Sequence, residues 1–386
     1  MTTPFDQLID RRNIGSTKWH HNDDTLPMWI ADMDFKVADP IAEALIHTIQ
    51  TNVLGYTEPT PPLYQAIIDW HHIRYHHQLS AQNILFASSV VASLATMINL
   101  FSQQGDAILI NDPVYPAFID KIKRNHRTLI TSPLKIDPQN RFRFDYNDME
   151  EKIRQHNVKL FILCNPHNPG GRVWDKEELQ QILALCKRHN VFLVSDEIHQ
   201  DLALFGHRTT SILSLEEAHD YSHRLVCLTA ISKTFNTAGL KGSLIFTKDP
   251  TLKETIAQYQ IQHGENEINL LALQAIQAAY QHGNDWLQAV VSYIENNVNT
   301  AIDFLQTHCP KLTLMRPEAS YLIWINCAGY CQDNQELKQK LLNAKVELNS
   351  GITYGKQGHL QMRLNVACPK AILQQGLERI CQALSD

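Results

Sequence analysis

A lysine, an aspartate and an asparagine stand where short apolar runs end, and that placement suits carbonyl–amine chemistry. Lys233, in Ser232-Lys233-Thr234-Phe235-Asn236, follows the run Leu225–Leu228. An amine at the end of a buried strand has little room to reach water, so desolvation lowers its pKa, as a Schiff-base lysine requires. Asp196, in Ser195-Asp196-Glu197-Ile198-His199, follows Val191-Phe192-Leu193-Val194. A carboxylate there is costly unless it meets a cation or hydrogen-bond donors. Asn168 is presented by the two prolines and two glycines of Asn165-Pro166-His167-Asn168-Pro169-Gly170-Gly171. Ser88 and Ser89 separate Ile84–Ala87 from a helical stretch beginning at Val90, and the free N–H groups of a helix start favour phosphate. Singly, each has a plainer explanation: capping serines, an Asn-Pro and Gly-Gly turn, a capping carboxylate, a surface lysine. Together they supply a Schiff-base lysine, a phosphate anchor and a carboxylate to keep a pyridine nitrogen protonated, which are the needs of pyridoxal 5′-phosphate (PLP).

The elements that hold these groups read as an α/β fold. Continuous apolar runs at Ile84–Ala87, Ala107–Ile110, Lys159–Leu163, Val191–Ser195, Leu225–Leu228 and Ser243–Phe246 alternate with helical patterns such as Glu177–Arg188 and Leu252–Gln262. Runs of this kind suit strands buried on both faces, hence a mostly parallel central sheet with ligands at the strands' carboxyl ends. Past Gly283 the texture changes: a long helix over Trp286–Thr307, strands near Ser320–Asn326 and His359–Val366, and a closing helix Lys370–Leu384. The expected organisation is an N-terminal segment (1–48) packing with a small domain, a large PLP-binding α/β domain (49–283), and a small C-terminal α+β domain (284–386).

Composition narrows the function classes. Of 386 residues, 44% are apolar and 19% charged, and the net charge is −6, so a globular enzyme fits. A chain-wide basic face for nucleic acid is not expected. The uncharged stretch Ile84–Phe101 is interrupted by Ser88, Ser89, Ser93, Thr96 and Asn99, and reads as strand, turn and helix rather than a membrane span. Residues Met1 to Asp10 carry acids and no apolar core of a signal peptide. Eight cysteines without C-x-x-C spacing point to free thiols and the cytoplasm. The His71-His72 and His76-His77 pairs read as an exposed helix face, and no metal site is expected.

The order Asn-Pro, Asp-x-x-His, Ser-Lys resembles the aspartate-aminotransferase superfamily, the fold-type-I PLP enzymes. The strings Met28-Trp29-Ile30-Ala31-Asp32-Met33-Asp34-Phe35, Gly55-Tyr56-Thr57, Asp112-Pro113-Val114-Tyr115-Pro116, Glu318-Ala319-Ser320-Tyr321-Leu322-Ile323-Trp324 and Arg363-Leu364-Asn365-Val366-Ala367-Cys368-Pro369 resemble more narrowly its cystathionine β-lyase-like C–S lyase branch (MalY/PatB type). Matched position by position, the resemblance implies that Lys233 carries the cofactor and Asp196 pairs with its ring nitrogen. Asn168 would bond the ring hydroxyl, Tyr115 would stack on the ring, and His199 would lie near the ring oxygen. The Val90 and Val91 amides, with Ser232 and Lys241, would hold the phosphate, and Tyr56 would reach it from a second subunit of a homodimer with composite sites. Arg363 would grip the substrate carboxylate with help from the Ala31 backbone. Three positions depart from the common pattern: Ala230 where a serine is frequent, Lys241 where an arginine is, and Ser89 where a glycine is. The implied reaction is α,β-elimination from L-cystathionine or an L-cysteine derivative, giving pyruvate, ammonia and a thiol. The alternatives are an aminotransferase and a regulator that binds a partner protein.

Overall fold

The computed structural model describes residues 3–21 and 23–385. Seven strands form the large sheet, in the order Ile84–Ala87, Ser243–Phe246, Leu225–Thr229, Phe192–Asp196, Leu160–Cys164, Ala107–Asp112, Thr128–Pro133. All neighbours run parallel except Ser243–Phe246, which is antiparallel to both strands beside it. The mostly parallel α/β sheet expected from the apolar runs is present. Leu160–Cys164, Phe192–Asp196 and Leu225–Thr229 are buried at every position, because helices cover both faces. The edge strand Thr128–Pro133 was not legible as an apolar run, since its alternate residues reach solvent. Ile84–Phe101 is a strand followed by the helix Val90–Phe101, and no helix among the described residues is long and apolar enough to cross a membrane.

A second, antiparallel sheet of Thr313–Met315, Leu322–Asn326, Gln361–Asn365 and Asn349–Ser350 lies beyond the helix Asn284–His308. The N-terminal segment reaches it: Leu26–Pro27 pairs in parallel with Val346–Glu347. Phe5 packs edge-on against Trp286 at 5.8 Å, and the Tyr293 hydroxyl donates to Asp6 at 2.6 Å. Helix Asp39–Thr51 packs on Leu270–His282 instead.

Two local expectations are corrected. His71 and His77 are buried, not exposed; they stack at 5.5 Å beside Tyr75, Phe246 and Tyr280. The helix Pro61–Tyr75 turns His71 inward, and the left-handed residue His76 reverses the chain so that His77 follows it. Burial pushes the His71 imidazole down to about 3, so it is neutral in this aromatic box. Nor are all eight cysteines free. Cys309 and Cys381, after helix Asn284–His308 and within helix Lys370–Leu384, form a disulfide with Cα atoms 6.0 Å apart; the other six are buried thiols.

Candidate active site

One cavity of about 650 Å³ opens at the carboxyl ends of the large sheet's strands. Lys233, Asp196, Asn168, Tyr115, His199, Val90, Val91, Ser232, Lys241, Ala31 and Arg363 all line it. Tyr56 does not: it is 99% exposed, outside the cavity of its own chain.

Lys233 sits in the four-residue helical turn Ile231–Thr234, joined through Ala230 to the strand Leu225–Thr229. Its Nζ donates to the Ala31 carbonyl at 2.5 Å. Burial first, then the nearby Arg363 charge, lowers the amine to about 8, against the pull of Asp32 and Asp196. The same carbonyl accepts the Tyr321 hydroxyl at 3.0 Å, so only the Ala31 N–H is suited to a carboxylate. Asn365 and Asn236 pin the rest of this loop. Asn365 Nδ2 donates to the Ile30 and Asp32 carbonyls, and Asn236 Nδ2 to those of Met33 and Phe35.

Asp196 ends the strand Phe192–Asp196 and accepts the Ile198 N–H at 3.1 Å; among the described residues no cation bonds to it. Burial, with Glu197 alongside, pushes its carboxyl up to about 7. His199 is buried with an unpartnered Nδ1. Burial, then Lys233 and Arg363, hold its imidazole down at about 3, so it is a neutral donor or acceptor. Tyr115 stands at the start of helix Pro116–Arg124, its hydroxyl raised by burial and by Asp196.

Ser89 caps the helix Val90–Phe101 by accepting the Ala92 N–H at 3.1 Å. The amides of Val90 and Val91 belong to the first turn, which has no intrahelical acceptor, and they face the same cavity as Ser88, Ser232 and Lys241. At the other end, Arg363 lies in the strand Gln361–Asn365. It donates to Asn168 Oδ1 at 3.1 Å and to the Trp29 carbonyl at 2.6 Å, its guanidinium 5.2 Å from the Tyr354 ring centre. Its buried Nε has no partner. The Asn168 turn is locked by Gly171, left-handed at φ +63, where a Cβ would stand 2.5 Å from Pro317.

Sequence reasoning gave no role to Tyr321, Asn236, Asn365, Tyr354 or Asn349. The first three hold the loop that carries Ala31; Tyr354 and Asn349 line the cavity wall near Arg363. They reach the site from a second sheet or through a left-handed turn, and no strand-end pattern marks such positions.

The donor set fits PLP. A buried carboxylate without a cation, an amine of lowered pKa and an unpartnered buried imidazole face one cavity, and a helix start with a lysine lies at its opposite end. This fold and site define the fold-type-I class of PLP enzymes. The chain belongs to the aminotransferase class I and II family, whose model matches residues 26–380. Cystathionine beta-lyase PatB of Bacillus subtilis is 39% identical over 99% of this chain and 100% of its own length. Cystalysin from Treponema denticola, whose structure contains PLP, superposes with a TM-score of 0.95 at 29% identity, over 100% of this chain and 99% of its own. The PLP-bound C–S lyase from Staphylococcus hominis gives 0.93 at 30%, with the same coverage.

Proposed function

We propose that this chain, a PLP-dependent carbon–sulfur lyase, catalyses α,β-elimination from L-cystathionine or an S-substituted L-cysteine, forming pyruvate, ammonia and a thiol with the uptake of one water. The observation that carries this reading is the convergence of a half-buried Lys233 with buried Asp196 and Arg363 on one cavity, from a helical turn, a strand end and a strand of the second sheet. When bound, PLP supplies a cationic ring that takes up the electron pair left at the substrate's Cα.

The chain's residues do the rest. Arg363 offers the α-carboxylate a planar fork whose direction is set by Asn168, the Trp29 carbonyl and the Tyr354 ring. Asp196 would face the ring nitrogen of the bound cofactor and, as an anion there, would hold a proton on it. Lys233 Nζ, with its amine at about 8, gives up its proton far more readily than an ordinary lysine. It can then accept one from Cα, as a general base within hydrogen-bond reach does. Carried on Nζ, that proton is available to the departing sulfur at Cβ. Val90, Val91, Ser232 and Lys241 anchor the phosphate.

The functional unit we propose is a homodimer. Val53, Leu54 and Tyr56, with Ile46 and Ile49 of the preceding helix, are large apolar residues left exposed within a short run of chain, and exposed apolar groups that cluster suit a protein-binding surface. Tyr56 then completes the partner's phosphate site. Mixed Tyr56→Ala and Lys233→Ala subunits should recover up to a quarter or so of wild-type activity in hybrids, in which one site is intact. Subunit exchange without recovery would show that each chain is self-sufficient.

The reaction is tested by turnover with cystathionine, cysteine and S-alkyl cysteines without added keto acid. Sustained release of pyruvate with an equivalent of thiol supports elimination. A single burst that resumes only on adding a keto acid moves the assignment to an aminotransferase, and no turnover with an intact cofactor moves it to a regulatory protein.

A further inference from the structure

Asp201 lies outside the cavity, yet it joins the two segments that supply the site's acid and its amine. It sits in the turn Gln200–Leu202, on the segment that leaves the sheet at Asp196. Its side chain is 2% exposed, and a carboxylate so buried persists only with a full set of donors. Thr234 Oγ1 donates to Oδ2 at 2.8 Å; Trp70 Nε1 donates to Oδ1 at 3.0 Å. The Tyr75 hydroxyl makes a short bond to Oδ1, and the Arg74 guanidinium completes an ion pair at 3.3 Å. Burial and the Asp201 charge raise Tyr75 well above the usual phenol range, so it remains a donor at any working pH.

The placement of these donors separates two jobs. Trp70, Arg74 and Tyr75 all belong to helix Pro61–Tyr75 and hold Asp201 in place. Thr234 belongs to the Ile231–Thr234 turn and is the residue directly after Lys233. A four-residue turn has few hydrogen bonds of its own to set its pitch, so an outside anchor on its last residue governs how the preceding side chain points. Gln200 adds a parallel tie by donating to Thr229 Oγ1 at 3.0 Å, at the foot of the same turn.

We propose that Asp201 is a positioning residue for Lys233: by accepting the Thr234 hydroxyl, it sets the direction in which the turn presents the amine to the cavity beside Asp196. This rests on the reading that Lys233 carries the cofactor. The clamp acts through helix Pro61–Tyr75, which directly follows the exposed Tyr56 segment, so the turn is braced by the part of the chain assigned above to the subunit interface.

The test uses the cofactor-loaded enzyme with Thr234→Val, Thr234→Ser, Asp201→Asn and the Asp201→Asn/Thr234→Val double variant. Readouts are kcat and KM for pyruvate release, the pH midpoint of the bound cofactor's visible absorption, and the PLP dissociation constant. Thr234→Val is expected to lower kcat on the order of tenfold to a hundredfold, as small misplacement of a reacting group does, with little change in KM. It should also displace the absorption midpoint and weaken PLP binding. Thr234→Ser, which restores the hydroxyl, should return all three toward wild type, and the double variant should be no worse than Asp201→Asn. If Thr234→Val lowers only the melting temperature, and leaves kcat, midpoint and PLP affinity unchanged, Asp201 is a structural residue and the proposal falls. Borohydride reduction that fixes the cofactor to another lysine also overturns it. Should the wild type release no pyruvate, the lyase reading fails on its own, while midpoint and affinity still decide the role of Asp201.

Discussion

Two buried charge clusters flank the Asn165–Arg172 turn, and they treat their charges in opposite ways. On one side both Nη atoms of Arg172 meet carboxylates. Its Nη1 donates to Glu318 at 2.7 Å, and its Nη2 donates to Asp175 at 2.8 Å and Glu178 at 2.7 Å. Glu318 precedes the strand Leu322–Asn326 and Glu178 lies in helix Lys176–His189, so this cluster ties the second sheet to the first. On the other side, beyond Asn168, Asp196 has one backbone donor, Lys233 a carbonyl, and His199 Nδ1 nothing. The first cluster uses charge to hold pieces together; the second leaves its groups without ion pairs, and the Asp196 and Lys233 pKa values are displaced toward neutrality, which is a common mark of reacting groups. The difference teaches that ion-paired and unpaired buried groups separate scaffold from site within a few residues of each other.

Substitutions can break this contrast. Lys233→Ala should show the largest effect, a loss of at least about a thousandfold in kcat, the scale of removing a group that acts in the chemical step. The visible cofactor band should vanish while the melting temperature of the cofactor-free protein changes little. An active Lys233→Ala enzyme would place the reacting amine elsewhere. Arg172→Met should do the reverse. It removes one cation from Glu318 and Glu178, which keep Arg141 and Arg143 as partners, so the loss in unfolding free energy should stay below the about 3–5 kcal/mol of leaving a buried charge unpaired. The kcat measured well below the melting transition should stay near wild type; a selective loss of kcat there would erase the distinction.

Arg363→Lys sharpens the boundary between the two clusters, because Arg363 has both supported and free donors. Keeping the charge but losing the fork should raise KM by roughly tenfold to a hundredfold, the worth of one or two charge-assisted hydrogen bonds. Unchanged steady-state constants would remove Arg363 from the carboxylate site.

The last contrast is in pH. In the cofactor-free protein Asp196 is raised from 3.8 to about 7 by burial. The folded state therefore keeps a proton that the unfolded chain has released, and this contribution is fully present below 3.8 and lost as pH rises through about 7. Urea midpoints should fall from about pH 4 to pH 7 on this account, and Asp196→Asn should flatten that segment of the curve. A wild-type curve equally flat would mean that Asp196 is solvated before the cofactor binds.

The cavity side of this contrast is legible in the sequence, for a physical reason, whereas the Arg172 cluster is not. Strands buried on both faces are written as unbroken apolar runs, so a Lys, Asp or Asn at their ends stands out, and Lys233, Asp196 and Asn168 were found that way. The edge strand Thr128–Pro133 escaped because one side meets solvent. Tyr321 and Asn365 escaped because their partners, the carbonyls of Ile30, Ala31 and Asp32, lie some 290 to 335 residues away in sequence. His71 and His77 were misread because a histidine pair looks polar, while burial in a ring cluster makes each imidazole an aromatic side chain.

The bond from Arg363 to the Trp29 carbonyl spans 334 residues, and that span has a consequence for how the molecule is made. A ribosome adding roughly 5–20 residues per second delivers the second partner tens of seconds after the first. Once Ser243–Phe246 has been made the large sheet can form, with Lys233 and Asp196 at the carboxyl ends of its central strands, but the wall that Arg363 completes does not yet exist. On the proposed reading, the growing chain would then be able to meet its cofactor before it can hold an amino acid, and the last strand translated, Gln361–Asn365, would be the one that makes it selective.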